Sequence, residues 1–258
     1  MKVTEIARIE NYEPAEDLLD GRIVMITGAG DGIGAALAKA VGRNGGTAIL
    51  VGRTTAKLEK VYDAIVDAGG PRPAIFVMDF ETAGAEQYDQ LSDAIAETYG
   101  RLDGLVHNAG ILGELTPIEH YDVLTWQRVL HVNLTAPFIL TRAMLPFLRR
   151  SEDASLIFTS SGVGRKGRGF WGAYAVSKFG TEGLMETLSD ELGESTPIRA
   201  NAVNPGATRT NMRATAFPAE DPNRLATAED ILGTYLYLLG PDSRDVNGRS
   251  FDAQPPQA

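Results

Sequence analysis

The chain has 258 residues, 43% of them hydrophobic and 22% charged, a balance that suits one globular α/β domain. Acids outnumber bases 34 to 24, and the net charge of −10 argues against a nucleic-acid or anionic-membrane partner. Cysteine is absent, which excludes disulfides, thiolate catalysis and cysteine-based zinc sites and fits a cytoplasmic protein.

Residues 1–20 carry acids throughout and have no apolar core segment. They are expected to form an extension rather than a signal peptide, with the domain running over 21–258. Short apolar runs then alternate with longer amphipathic ones. Strands are predicted at Arg22–Thr27, Thr47–Val51, Ala74–Met78, Gly104–His107, Ser155–Thr159, Arg199–Asn204 and Gly248–Asp252. Helical patterns fill the gaps at Ile33–Arg43, Thr55–Ala68, Ala85–Tyr99, Tyr121–Arg150 and Gly172–Glu194, with Pro137 and Pro146 expected to bend or end the fourth. This βαβ rhythm predicts a parallel sheet with helices on both faces. No apolar run is long enough to span a membrane, and His107, His120 and His131 are too scattered to suggest a metal site.

Several strands end in a polar or glycine-rich step, and ligands of such sheets sit outside the carboxyl ends of the strands. The first strand runs into Gly28-Ala29-Gly30-Asp31-Gly32-Ile33-Gly34, which opens a helix. Backbone N–H groups and the positive helix end can meet a diphosphate there, where side chains would block the approach. A plain tight turn would use the same glycines; the strand before and the helix after favour a dinucleotide. Asp79, with Phe80 beside it, can accept an adenine amino hydrogen or cap a helix. The second strand ends in Gly52-Arg53, where NAD sites often carry an acid for the ribose 2′-hydroxyl. An arginine there can grip a 2′-phosphate through two N–H groups, so NADP is expected over NAD. Asp31 adds no positive charge and counts slightly against this.

In the second half, Ser161 precedes Tyr174 and Lys178, which share a helix face by their i, i+4 spacing. A free phenol is a poor base at neutral pH; a nearby ammonium and a bound nicotinamide cation would stabilise its phenolate. Tyr174 could then exchange a proton with a substrate oxygen that Ser161 positions. A lone Tyr-x-x-x-Lys is commonly a surface pair; the glycine turn and Ser160-Ser161 at a strand end give it weight here.

These segments, with Asn108-Ala109-Gly110, Asn133, and Pro205-Gly206 followed by Thr208 and Thr210, occur in an order that resembles the short-chain dehydrogenase/reductase family. Phe158-Thr159-Ser160-Ser161-Gly162, Trp171-Gly172-Ala173-Tyr174 and the ending Phe251-Asp252-Ala253-Gln254-Pro255 further resemble its YciK-like bacterial subgroup. The resemblance implies a single-domain Rossmann fold with a seven-stranded, doubly wound parallel sheet. It implies that Asn133 completes a Ser-Tyr-Lys-Asn set by holding a water that relays protons to Lys178. Asn108, Ala109 and Gly110 would lie beside the cofactor, and Thr210 would reach the nicotinamide side. It also implies a four-helix contact between subunits, giving a homodimer or homotetramer. His107 stands where the family often has asparagine, with little consequence expected.

The function expected is NADP(H)-dependent interconversion of a carbonyl and an alcohol. A dinucleotide-binding module that senses redox state through a partner would need only the cofactor half. Asn211–Leu225 is expected to form part of a substrate lid, and Trp171 either walls the pocket or packs. Arg165, Lys166 and Arg168, three cations in a net acidic chain, suggest an anionic substrate or regulator, although a solvated or ion-paired loop is the plainer account.

Overall fold

The computed structural model describes residues 6–9 and 12–255. The elements in chain order are β1 (Ile6–Ala7), β2 (Ile23–Thr27), α1 (Gly32–Arg43), β3 (Thr47–Gly52), α2 (Thr55–Asp67), β4 (Ala74–Val77), α3 (Ala85–Thr98), β5 (Gly104–His107), α4 (Val123–Leu130), α5 (Ala136–Leu148), β6 (Ala154–Thr159), α6 (Gly172–Gly193), β7 (Ile198–Asn204), α7 (Asn211–Ala216), α8 (Leu232–Leu239) and β8 (Ser250–Asp252).

All strands pair in parallel, in the order β1-β8-β7-β6-β5-β2-β3-β4. The seven expected strands are present, with ends shifted by up to two residues. An eighth, β1, comes from the N-terminal extension: Ile6 and Ala7 pair with Ser250 and Phe251. Two residues without alternation carry no strand signal; the exposed edge of β8 supplies the backbone partners that make them one.

From β2 the chain winds outward through β3 and β4, then returns to β5 on the other side of β2 and winds the opposite way. The direction therefore reverses between β2 and β5, which opens a crevice at their carboxyl ends. Alternate strand residues feed two cores. Met25, Leu105, Leu156 and Phe158 pack beneath α3, α5 and α6 through Leu91, Leu140, Met144 and Met185. Ile26, Leu50, Val106 and Ile157 pack against α1, α2 and α8 through Leu37, Leu58, Ile65 and Tyr235. Burial on both faces is why these strands read as continuous apolar runs.

The helical stretch over Tyr121–Arg150, expected to be bent or ended by Pro137 and Pro146, is α4, a π-helical turn at His131–Thr135, and α5. Pro137 has no N–H to give the carbonyl of Asn133 four residues earlier. The backbone widens just before it, and the Ala136 N–H bonds the His131 carbonyl five residues back. Pro146 lies inside α5 without ending it. The extension is held at two further points: Leu19 is fully buried, and the Tyr12 ring meets Tyr237 edge-on at 5.4 Å while its hydroxyl donates to Asp242 at 2.8 Å.

Candidate active site

One cleft of about 480 Å³ runs over the crevice between β2 and β5. Gly28, Asp31, Ile33, Arg53, Asp79, Phe80, Asn108, Ala109, Gly110, Ser161, Tyr174, Lys178, Pro205, Gly206, Thr208 and Thr210 all line it. Residues spread over nearly 200 positions of sequence converge because most sit just past the carboxyl end of a strand, where parallel pairing brings those ends to one edge, and Tyr174 and Lys178 reach the same edge from α6.

Two predicted residues do not face the cleft. Gly34 lies behind it: a Cβ there would come within 2.3 Å of the Gly28 carbonyl oxygen and 2.6 Å of Asn108 Nδ2, so only glycine lets α1 approach the turn this closely. Asn133, on the π-helical turn, is buried and its side chain is fully engaged. Its Oδ1 accepts from the Ile111 N–H at 2.8 Å, and its Nδ2 donates to the Ile111 carbonyl at 2.9 Å and to Ser177 Oγ at 3.0 Å. Its carbonyl accepts from Thr181 Oγ1 at 3.4 Å.

The floor of the cleft is stitched by Thr27. Its Oγ1 donates to the Val106 carbonyl and accepts the N–H groups of Asn108 and Ala109 at 2.9 and 3.0 Å, while Asn108 Nδ2 donates to the Thr27 carbonyl. The cofactor turn and the Asn108-Ala109-Gly110 segment are thereby locked together. At the glycine turn, Asp31 caps α1 by accepting from the Gly32 N–H. Its carboxylate also accepts from Lys57 Nζ at 2.6 Å and from Asn211 Nδ2 at 3.0 Å, and Lys57 holds its pKa below the ordinary value. The charge of Asp31 is therefore met by a cation, and helix α7 is tied to the turn. Lys57 went unrecognised in the sequence although a weak signal existed: it is a cation in the first turn of the helix that follows Gly52-Arg53, and it lines the cleft. Asn211 carried no signal, since its bond to Asp31 spans 180 positions of sequence.

Ser161 follows β6, and Tyr174 and Lys178 lie on one face of α6. The Tyr174 phenol is buried, and Ser161 lies close enough to it to act on its titration. Burial pushes its pKa up to about 12, against which Ser161 works downward. Lys178 Nζ donates to the Thr159 carbonyl at 2.7 Å and sits 5.6 Å from the Tyr174 ring centroid. Burial draws the ammonium down to about 8, opposed by the Glu182 carboxylate one turn on. The expectation of a phenol lowered by its lysine thus meets a stronger opposing effect: desolvation disfavours both charged forms at once. Ser160 Oγ, buried beside the cleft, has no hydrogen-bond partner within the protein.

Beyond Tyr174 the cleft is apolar, walled by Ile111, Leu112, Trp171, Met212, Ala216 and Phe217. Trp171 does wall the pocket; its ring lies 5.8 Å from Tyr174 and 5.9 Å from Phe217. The segment expected to serve as a lid folds as α7 and a turn at Pro222–Arg224, held by Arg213, which forks onto Glu220 with two 2.6 Å bonds. The basic loop divides. Arg165 is consumed by the partly buried acids Glu182 and Asp252, whereas Arg168 lies near the rings of Trp171 and Phe217 at the rim. His107 stacks on Phe158 at 4.8 Å and bonds Thr141, and burial holds its pKa down near 3.

The family model described as short chain dehydrogenase matches residues 22–221. The chain belongs to the short-chain dehydrogenase family. It is therefore an oxidoreductase of the CH–OH/C=O type. It is 50% identical over 245 residues to the uncharacterized oxidoreductase YciK of Escherichia coli K12, covering 95% of this chain and 96% of that one. Among solved structures, a short chain dehydrogenase from Salmonella enterica serovar Typhi CT18 superposes with a TM-score of 0.92 at 51% identity, over 95% of this chain and all of that one. A chain from Escherichia coli CFT073, solved in complex with NADPH, gives 0.91 at 50% identity over 94% of this chain and all of that one.

Proposed function

We propose that this protein binds NADP(H) and interconverts a ketone or aldehyde with an alcohol. The observation that carries this reading is the meeting of Ser161, Tyr174 and Lys178 on the wall of the same cleft that the glycine turn opens. The residues fit the dinucleotide. The α1 amino end and a side-chain-free turn suit a diphosphate, Arg53 and Lys57 suit a 2′-phosphate with no acid at position 52 or 53, and the unpartnered Ser160 hydroxyl faces the catalytic half. When bound, the nicotinamide supplies or accepts the hydride.

Tyr174 is the acid–base group. In reduction it donates its proton to the substrate oxygen, and in oxidation it takes one back. Ser161 bonds the same oxygen and fixes its approach. Lys178, anchored on Thr159, places positive charge under the phenol ring. Asn133 holds the backbone at Ile111, the residue after the Asn108-Ala109-Gly110 segment; any water relay to Lys178 passes its carbonyl rather than its occupied amide. The apolar end of the cleft, under Trp171 and Phe217, takes the body of the substrate, and Arg168 at the rim would favour an anionic tail.

NADPH consumption with a panel of dicarbonyls and quinones tests the reading. Tyr174→Phe should leave NADPH binding in place and cut turnover by at least ~10²-fold, the scale of general acid–base catalysis. Wild-type rates in that variant would overturn the mechanism. Binding without turnover on any panel member would favour a sensing module.

A further inference from the structure

Arg165 is the residue after the short 3₁₀ turn Gly162–Gly164 that follows Ser161. Its side chain is 15% exposed, and each of its three nitrogens donates a hydrogen bond. Nε donates to Glu182 Oε1 at 3.2 Å, Nη1 to Asp252 Oδ1 at 2.6 Å, and Nη2 to Ser250 Oγ at 2.6 Å and to the Phe251 carbonyl at 2.9 Å. The acceptors are linked in turn: Ser250 Oγ donates to Glu182 Oε2 at 2.8 Å, and Asn204 Nδ2 donates to Asp252 Oδ1 at 2.8 Å. Four of its five N–H donors are thereby spent inside the protein, which leaves little for a substrate anion.

The three segments joined here are those that carry the site. Glu182 is one helical turn beyond Lys178 on α6, Asn204 precedes Pro205-Gly206, and the loop itself begins at Ser161. Between them Gly164 lies hard against α6; a Cβ there would come within 2.8 Å of Lys178 Cβ and 2.9 Å of its backbone. The Ser161 turn is thus pressed onto the catalytic helix and tied down at its far end by one guanidinium. Of the titratable groups near the phenol, Lys178 Nζ lies 5.6 Å from its ring and Tyr235 on α8 interacts with it electrostatically, while Glu182 acts on Lys178.

We propose that Arg165 is a positioning residue: by fastening the Ser161 turn to α6 and β8, it holds the Ser161 hydroxyl against the Tyr174 phenol. The inference rests on the acid–base role given to Tyr174 above. A fork with two carboxylates and two further acceptors fixes direction as well as distance, which a lysine cannot reproduce. A donated hydrogen bond to the phenolate favours the charged form, so losing Ser161 from its place should raise the Tyr174 titration midpoint.

The test is an ultraviolet difference titration of the phenolate in the NADP⁺ complex, wild type minus Tyr174→Phe, which needs no substrate. Ser161→Ala should move the midpoint alkaline by roughly one pH unit, a tenfold change in the equilibrium. Arg165→Met should move it comparably, and so should Arg165→Lys, which keeps the charge and loses the fork. The double variant Ser161→Ala with Arg165→Met should match Ser161→Ala alone, because both act through one hydrogen bond. If Arg165→Met does not fold, Asp252→Asn, which weakens the 2.6 Å pair and keeps its shape, is read the same way. A variant that melts earlier with an unmoved midpoint, or shifts that add in the double variant, would overturn the inference alone. A Tyr174 phenol that never titrates in the NADP⁺ complex would overturn this inference, while the turnover of Tyr174→Phe tests the acid–base reading separately.

Discussion

Lys178 and Tyr174 share a desolvated site, and neither can be charged cheaply without the other. With the ammonium drawn down to about 8, its charge is complete below that pH and lost above it. Reduction also needs the phenol protonated. Carbonyl reduction should therefore hold below about pH 8 and fall as pH rises through it. Lys178→Arg, always charged, should move that limb to higher pH, which a pH–rate profile with any active panel substrate will show. At the other end of the cleft, Arg53 and Lys57 are exposed and the second is shared with Asp31. Each of Arg53→Ala and Lys57→Ala should weaken NADPH by roughly tenfold at low salt, about 1.4 kcal/mol, and leave NADH nearly unchanged. The difference should shrink as salt screens exposed charge. Fluorescence titration with both cofactors decides it; equal losses for the two would make these cations structural.

At the scale of elements, β1 and the residues after it form a strap across the β8 edge. Paired backbone there covers N–H and carbonyl groups that an edge strand would otherwise present. Its best-defined side-chain anchor is Tyr12, through Tyr237 and Asp242. Tyr12→Ala should cost about 1 to 2 kcal/mol, an aromatic pair plus a modest exposed hydrogen bond, read as a lower urea midpoint with unchanged slope. An unchanged midpoint would mean that the strap adds nothing to stability. The π-helical turn shows the opposite kind of element: an irregularity fixed by one residue, Pro137, that sets where Asn133 points.

Over the whole molecule, apolar side chains are left in water on α4, α5 and α6. Leu124 is 74% exposed, Phe138 51% and Phe179 46%. Helices α4 and α6 pack side by side, which brings the exposed side chains of these two helices into one region of surface. It supports association of two copies of the chain through these helices. Phe138→Asp should drive the protein toward a one-chain mass by light scattering, with NADPH binding kept. A wild-type monomer at micromolar concentration would contradict the assembly. Among the described residues, no helix is long and apolar enough to cross a membrane.

The sequence by itself determined the parallel sheet, because buried strands must be apolar runs and the helices between them amphipathic. It also determined the residues that rim the cleft at the strand ends, because Gly28, Arg53, Asn108, Ser161 and Pro205 each interrupt the pattern there. What it could not carry was anything that depends on pairing across the fold. Whether Arg165 faced a substrate or an acid was decided by Glu182 and Asp252, which approach it from α6 and β8. Whether Asp31 repelled a phosphate was decided by Lys57. The strap became a strand only because β8 had an open edge. The titration of Tyr174 followed from how much water the folded cleft excludes, which no spacing encodes: charge and burial are properties of neighbours, and only the tertiary structure chooses them.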